Sequence, residues 1–302
     1  LTSCGNISAS GNYVLGNNIT GPSPPTCLTI STSNVSLDCQ GKTISVTNTA
    51  IAVFSLFQPV HNNITIKNCN VVISNNNAAG ISLSKVSNGK VLNNSIKISA
   101  NFYNVNAVYN FNGTNDVFAD NNIFTFGNGK LNATSLIYSI MGYNNTYLKN
   151  NLTANFAFDE SLNEYGEAFF IEGGIASLFD SNYVNINGNG TTAFKLYNTV
   201  NSTLKSNNIL GNLDVAGKGI YISRNHISPP YPYPTNLTSI DYIVSNNITL
   251  IFAEGVGIEI FTEDEKTISY IIGNNINLSG GFISINGTNA NISNIISSRA
   301  AQ

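Results

Sequence analysis

A pair of asparagines followed by an aliphatic residue recurs along this chain. The copies read LGNNITG, VHNNITI, VLNNSIK, ADNNIFT, LKNNLTA, LKSNNILGN, VSNNITL and IGNNINL, with DSNYVNI as a degenerate version. Measured on the first asparagine, the copies at Asn93, Asn121, Asn150, Asn182, Asn207, Asn246 and Asn274 lie 28, 29, 32, 25, 39 and 28 residues apart. A period in the twenties with variable insertions marks a solenoid whose loops differ from coil to coil. A helical solenoid does not fit: no 3.6-residue apolar stripe persists, and Asn, Ser, Thr and Gly are poor helix formers.

A second phrase points to strands. GISLS (Gly80–Ser84), AFKLY (Ala193–Tyr197), GIYIS (Gly219–Ser223) and GIEIF (Gly257–Phe261) each alternate apolar with other residues, the period of a half-buried strand. One coil then reads as an alternating strand, a turn, a second strand, the paired asparagines and a third strand. Asparagine tolerates the left-handed backbone of a sharp turn, and stacked asparagines can hydrogen-bond from coil to coil as a ladder. The expected architecture is all-β: a right-handed parallel β-helix of about nine or ten coils with asparagine-ladder turns. The eight prolines (Pro22–Pro25, Pro59, Pro229–Pro234) interrupt none of the proposed strands, where the ring would remove a ladder hydrogen bond. Residues 1–26 are expected to cap a solenoid spanning 27–302.

Asparagine contributes 52 of 302 residues, while only 10% are charged and 42% are hydrophobic. That balance is unlike a disordered chain. A net charge of −3 gives no field to attract nucleic acid or an anionic membrane, and no apolar run approaches the roughly 18 residues of a membrane span. The chain begins at Leu1 rather than Met and is read as a mature product from which a signal peptide has been removed. Its four cysteines, Cys4, Cys27, Cys39 and Cys69, suit two disulfides with three possible pairings. Cys39 follows NVSLD and Cys69 follows NITIKN, equivalent segments of consecutive coils. These two are therefore expected to bond, leaving Cys4 to tie the cap through Cys27. No Cys-x-x-Cys occurs, and His61 and His226 lie far apart, so nothing calls for zinc or any cofactor.

The stretch CLTISTSNVSLDCQGKTIS (Cys27–Ser45), followed by the NNI coils, resembles β-helix repeat proteins secreted to archaeal and bacterial cell surfaces. These belong to the broad pectate-lyase-like superfamily. The resemblance covers nearly the whole chain and implies the fold. It does not imply one activity, because lyases, hydrolases, epimerases, tailspikes, adhesins and surface-layer components share that fold.

An enzyme is not expected. The polygalacturonase-like branch carries Asn-Thr-Asp, Asp-Asp, Gly-His-Gly and Arg-Ile-Lys, and none of these occurs here. Lyases of the superfamily use an arginine beside aspartate-held calcium; this chain has Arg224 and Arg299 only, and its aspartates are scattered. The densest polar group is Glu172, Lys195, Tyr221, Arg224, His226, Glu259, Glu263 and Asp264, which the strand phrases stack on adjacent coils. Its bland reading is a surface patch of weak ion pairs.

Aromatic residues suggest a contact surface. If Ile220 and Ile222 face inward, Tyr221 faces outward, in a column with Lys195, Phe170, Ile137 and Tyr109; the next column holds Phe261, Tyr197, Phe111 and Phe54. A one-residue slip in NAVYNF would turn Tyr109 and Phe111 inward. The loop SPPYPYPTN (Ser228–Asn236) adds Tyr231 and Tyr233. Interface or binding residues are thus expected at Phe170, Tyr197, Tyr221, Tyr231, Tyr233 and Phe261. Sixteen N-glycosylation sequons begin at Asn6, Asn18, Asn34, Asn63, Asn93, Asn112, Asn132, Asn144, Asn151, Asn189, Asn201, Asn236, Asn247, Asn277, Asn286 and Asn291. Composition alone gives about ten. So few charges leave glycans or neighbours to keep the surface soluble, and the last coil shows no charged cap. The chain is expected to be a glycosylated extracellular or cell-surface subunit that assembles with copies of itself into a filament or layer. The alternatives are a polysaccharide-binding adhesin or tailspike-like binder, and then a carbohydrate-active enzyme.

Overall fold

The computed structural model describes residues 1–21, 24–54, 60–99, 105–126, 135–156, 166–224, 239–262, 267–286, 290–293 and 296–299. Among them there is no helix. The strands stack into three parallel faces, as the repeat predicts.

In the middle coils, Asn106–Phe111 lies on face 1, Val117–Ala119 on face 2 and Asn122–Phe126 on face 3. Face 2 is a sheet of eleven strands, which roughly matches the expected number of coils. The phrases GISLS, AFKLY, GIYIS and GIEIF all fall on face 1. Faces 1 and 3 merge toward the C-terminus, where Asn208–Arg224, Asn247–Thr262 and Asn275–Asn286 run from one face into the other. The first 26 residues contribute strands to all three faces: Gly5–Ile7, Gly11–Val14 and Ile19–Gly21 pair parallel with the following coil. Cys4 is bonded to Cys27 and Cys39 to Cys69, as the equivalent segments imply.

Alternation buries one side of each strand. Early coils fill the face 2 interior with Leu37, Ile66 and Val91, later coils with Phe118, Tyr147 and Phe179. These rings stack at 5.1 and 4.8 Å and meet Phe169 and Phe194 of face 1 edge to face. Such pairs add about 0.5–1.5 kcal/mol each beyond the area they bury.

The paired asparagines occupy the turn from face 2 to face 3 and form the expected ladder, but the left-handed backbone lies elsewhere than expected. The left-handed residue is the one just before the buried asparagine: Asp120, Lys149, Ser181, Ser206, Ser245 and Gly273 all have φ of 52–62°. The buried column is Asn94, Asn121, Asn150, Asn182, Asn207, Asn246 and Asn274. In VLNNSIK it is therefore the second asparagine that points inward, while Asn93 takes the left-handed position (φ 51°). Each side-chain oxygen accepts from both the backbone N–H and the Nδ2 of the asparagine one coil earlier. For Asn182 these bonds are 3.0 and 3.0 Å, from Asn150. Its own Nδ2 donates to Asn207 and to the Tyr147 carbonyl, both at 2.9 Å. Cys69 stands in the same column and donates its backbone N–H to Asn94 at 2.9 Å. The Cys39–Cys69 disulfide is thus a covalent rung at the head of an amide ladder. Rungs are separated by 25, 27, 29, 32, 25, 39 and 28 residues.

Candidate functional site

Face 1 carries most of the residues singled out from the sequence. Strand register places Tyr109, Tyr138, Phe170, Lys195, Tyr221 and Glu259 in one outward column. Ile137, expected in that column, is instead buried against Val108 and Phe169, and Tyr138 takes its place. The strands bend here. Ala107–Val108, Leu136–Ile137 and Ala168–Phe169 are consecutive buried pairs, so strict alternation fails by one residue. The flanking column holds Phe111, Ile140, Glu172, Tyr197, Ser223 and Phe261, with Tyr109 and Phe111 half-exposed rather than turned inward.

These groups are committed to one another. Tyr138 and Phe170 stack at 4.8 Å with planes 6° apart, so each covers a face of the other, and Tyr109 packs edge-on against Tyr138. Lys195 Nζ sits 4.4 Å over Phe170 and 2.9 Å from Glu167 Oε1; Ser135 donates to the other oxygen of that carboxylate at 2.9 Å. Tyr138 donates to Glu172 at 3.0 Å. Burial, reinforced by the charge of Glu172, pushes the Tyr138 phenol up, so it stays a donor. Lys218 lies 3.7 Å over Tyr221 and 2.8 Å from Glu259 Oε2, close by distance although not aligned as a hydrogen bond. Of the polar group expected from the sequence, face 1 brings together Glu172, Lys195, Tyr221 and Glu259. The Arg224 side chain, His226, Glu263, Asp264 and the loop with Tyr231 and Tyr233 lie outside the described residues. Glu167, Tyr138 and Lys218 were missed. Each sits at a strand-start or bend position that alternation alone does not resolve.

A second constellation lies inside the solenoid, at the turn from face 1 to face 2. Asn110 and Ser139 replace core aliphatics on successive coils of face 1, and Asp116, Asn145 and the Tyr147 hydroxyl gather beside them, all buried. Asp116 accepts from the Gly89 N–H at 2.6 Å and donates its own N–H to Asn145 at 2.9 Å. Asp116 Oδ2, both amide atoms of Asn110, Ser139 Oγ and Tyr147 OH make no aligned hydrogen bond. Burial pushes the Asp116 carboxyl up to about 7, against the opposing pull of the Gly89 N–H and the Asn110 amide. The carboxyl therefore carries a proton below neutral pH. Alternating polar residues in NAVYNF and SLIYSI look outward-facing in sequence, and this buried set was not foreseen.

A third feature is a cleft of about 480 Å³ on the turn between faces 2 and 3 in the early coils, lined chiefly by amides. No group of three or more His, Cys, Asp or Glu that could hold a metal occurs among the described residues. Among the described residues no helix is long and apolar enough to cross a membrane.

No family model and no curated protein matches the chain. Among solved structures, it is similar to the A-module of a mannuronan C-5 epimerase from Azotobacter vinelandii (13% identity, TM-score 0.39, 99% of this chain and 92% of that one). It is also similar to the surface protein and adhesin PfbA of Streptococcus pneumoniae (8% identity, TM-score 0.32, 98% and 91%). A third similar structure is the catalytic domain of a GH87 α-1,3-glucanase in complex with nigerose (13% identity, TM-score 0.31), of which this chain spans 63%. Similarities this low say nothing of what the chain does.

Proposed function

We propose that this chain is a structural subunit of an extracellular filament or surface layer, glycosylated on its turns and third face and contacting neighbours through face 1. The observation that carries this reading is the self-contained state of face 1. Tyr138 and Phe170 stack on each other, Phe170 and Tyr221 are capped by lysines, and both lysines are paired with carboxylates. The charges described on such a face offset one another, and it offers a surface of the aromatic-rich kind that interfaces favour. Sequon placement agrees. Of the twelve sequon asparagines with described side chains none is buried, and only Asn6 lies in a face 1 strand. Asn132 and Asn236, and the side chains of Asn286 and Asn291, lie outside the described residues. The two disulfides suit an oxidising compartment, and exposed Tyr242, Ile251 and Phe282 give the C-terminal coils apolar surface for a neighbour.

Negative-stain imaging and light scattering of the secreted protein test this. Elongated multimers weakened by Tyr221→Glu are the expected result. A monodisperse monomer at high concentration, with its face 1 aromatics solvated, overturns the proposal. A second reading, polysaccharide binding, is favoured by the amide-lined cleft. Micromolar binding of a defined polysaccharide by the monomer would establish it instead.

A further inference from the structure

The early coils hold a place where one sequon and one cleft coincide. From Cys69 and from Asn94 the chain passes directly into face 3, at Asn70 and Ser95. After Cys39 it first inserts Gln40, Gly41 and Lys42 before Thr43, using left-handed backbone at Gln40 (φ 50°) and Gly41 (φ 74°). Those extra residues form a ledge over the next coil. Asn68 accepts from the Gly41 N–H through its carbonyl at 2.7 Å, and Asn70 Nδ2 donates to the Gly41 carbonyl at 2.6 Å. Beneath the ledge lies the 480 Å³ cleft, bordered by Gln40, Gly41, Asn68, Asn70, Asn93 and Asp120. Its size falls within the range of small-molecule sites, about 300–1,000 Å³.

The lining chemistry disfavours an anion and suits a neutral polyol. Asp38 is already neutralised by Lys67 at 3.3 Å and held by Asn68 at 3.0 Å, and these contacts, the Asn68 amide first, keep its carboxyl below the usual range. What remains is amide groups and the Ser95 hydroxyl, which both donate and accept, and the acceptor Asp120. Asn93 opens the sequon Asn93-Asn94-Ser95. Its exposed side chain donates one Nδ2 hydrogen to Asn68 at 2.9 Å, which aims the nitrogen at the ledge and leaves its second hydrogen open.

We infer that Asn93 is N-glycosylated and that the first, neutral sugar of its glycan is seated in this cleft. The inference rests on the extracellular reading given above. In the transfer, the Asn93 amide nitrogen attacks the anomeric carbon of a lipid-linked, phosphate-activated glycan donor. An N–C bond forms, the phosphate leaves with the electron pair of the broken C–O bond, and the amide loses one proton to the transferase. The remaining Nδ2 hydrogen keeps the bond to Asn68, so the ladder on the outside of the turn survives modification. Asn144 and Asn247 make the same amide-to-amide bond to the preceding coil, at 2.8 and 3.0 Å, but no inserted turn residues stand above them.

The test uses the full chain secreted from a eukaryotic host, with glycopeptide mapping before and after the folded protein is treated with an amidase that cleaves the sugar–asparagine bond. The expected result is modification at Asn93, Asn144 and Asn247, with release at Asn93 at least ten-fold slower; denaturation should abolish the difference. Ser95→Ala, which leaves every cleft amide in place, should remove only the Asn93 glycan. Modification at Asn144 and Asn247 without Asn93, or equal release from all three, overturns the seated sugar alone. A chain modified at no sequon overturns both this inference and the glycosylated extracellular reading.

Discussion

Face 2 is flanked by two turns that both bury polar side chains, and they solve the same problem with different success. On the side leading to face 3, one residue type repeats seven times, and the amides bond to one another and to backbone from Asn94 to Asn274. On the side leading from face 1, the equivalent column mixes three residue types: Asp116, Asn145, Ser177, Ser202, Asp241 and Ser269. Asp116, Asn145 and Asp241 still reach a backbone N–H of the preceding coil at 2.6–2.9 Å. The hydroxyls of Ser177, Ser202 and Ser269 have no partner. A primary amide both donates and accepts at the reach needed to span one coil, so identical copies satisfy each other indefinitely. A carboxylate only accepts, and the serine hydroxyls of this column reach no partner. Periodicity of chemistry, as well as of spacing, is what makes a buried polar column stable.

The largest expected effect comes from breaking the weaker column. The Asp116 carboxyl rises from 3.8 to about 7 on folding, so the folded state holds the proton more tightly. The resulting stability is fully present below about pH 4 and is lost as pH rises through about 7, a swing of about 4 kcal/mol. Asp116→Asn should remove that swing, so the variant is the more stable protein at pH 8; denaturant unfolding of both proteins across pH 4–8 reads the difference. Replacing Cys39 and Cys69 together by serine should cost about 3–4 kcal/mol for a closed loop with a sequence separation of 30, seen as a lower unfolding midpoint under non-reducing conditions.

Within the stronger column, Asn182→Ala should cost about 2–3 kcal/mol. It orphans the Asn150 N–H and removes the donor to the Tyr147 carbonyl. The smallest effect sharpens the comparison. Asn247 belongs to the adjacent exposed column and donates to Asn208 at 3.0 Å, yet water can replace that bond. Asn247→Ala should change stability by under about 0.5 kcal/mol in the unglycosylated protein. Equal losses at Asn182 and Asn247 would show that burial is not what gives the ladder its value.

Sequence revealed the stronger column and hid the weaker one for the same reason. Seven identical rungs stand out against any background, whereas a column that mixes Asp, Asn and Ser has no phrase to find. Even the visible ladder was misread by one residue at VLNNSIK, because two adjacent asparagines are indistinguishable until the turn shows which one points inward. The left-handed position carries Asp, Lys, Ser and Gly as readily as Asn. Coil-to-coil hydrogen bonds hold that conformation there, and local preference does not. Tyr138 was displaced by Ile137 because the bend in face 1 breaks the two-residue period. Tyr197, Tyr221 and Phe261 face outward as their alternating phrases imply, and Phe170 does so although its own strand breaks the alternation.

The uneven rung intervals have a consequence in polymer terms. Closing a flexible segment costs (3/2)RT ln n plus a constant, so lengthening one coil from 25 to 39 residues adds only about 0.4 kcal/mol. One buried amide bond offsets that. The ladder therefore acts as a ruler that fixes the rise of every coil while leaving its circumference free. Chain can be inserted between the faces, where recognition or attachment is built, with almost no effect on the register of the coils above and below.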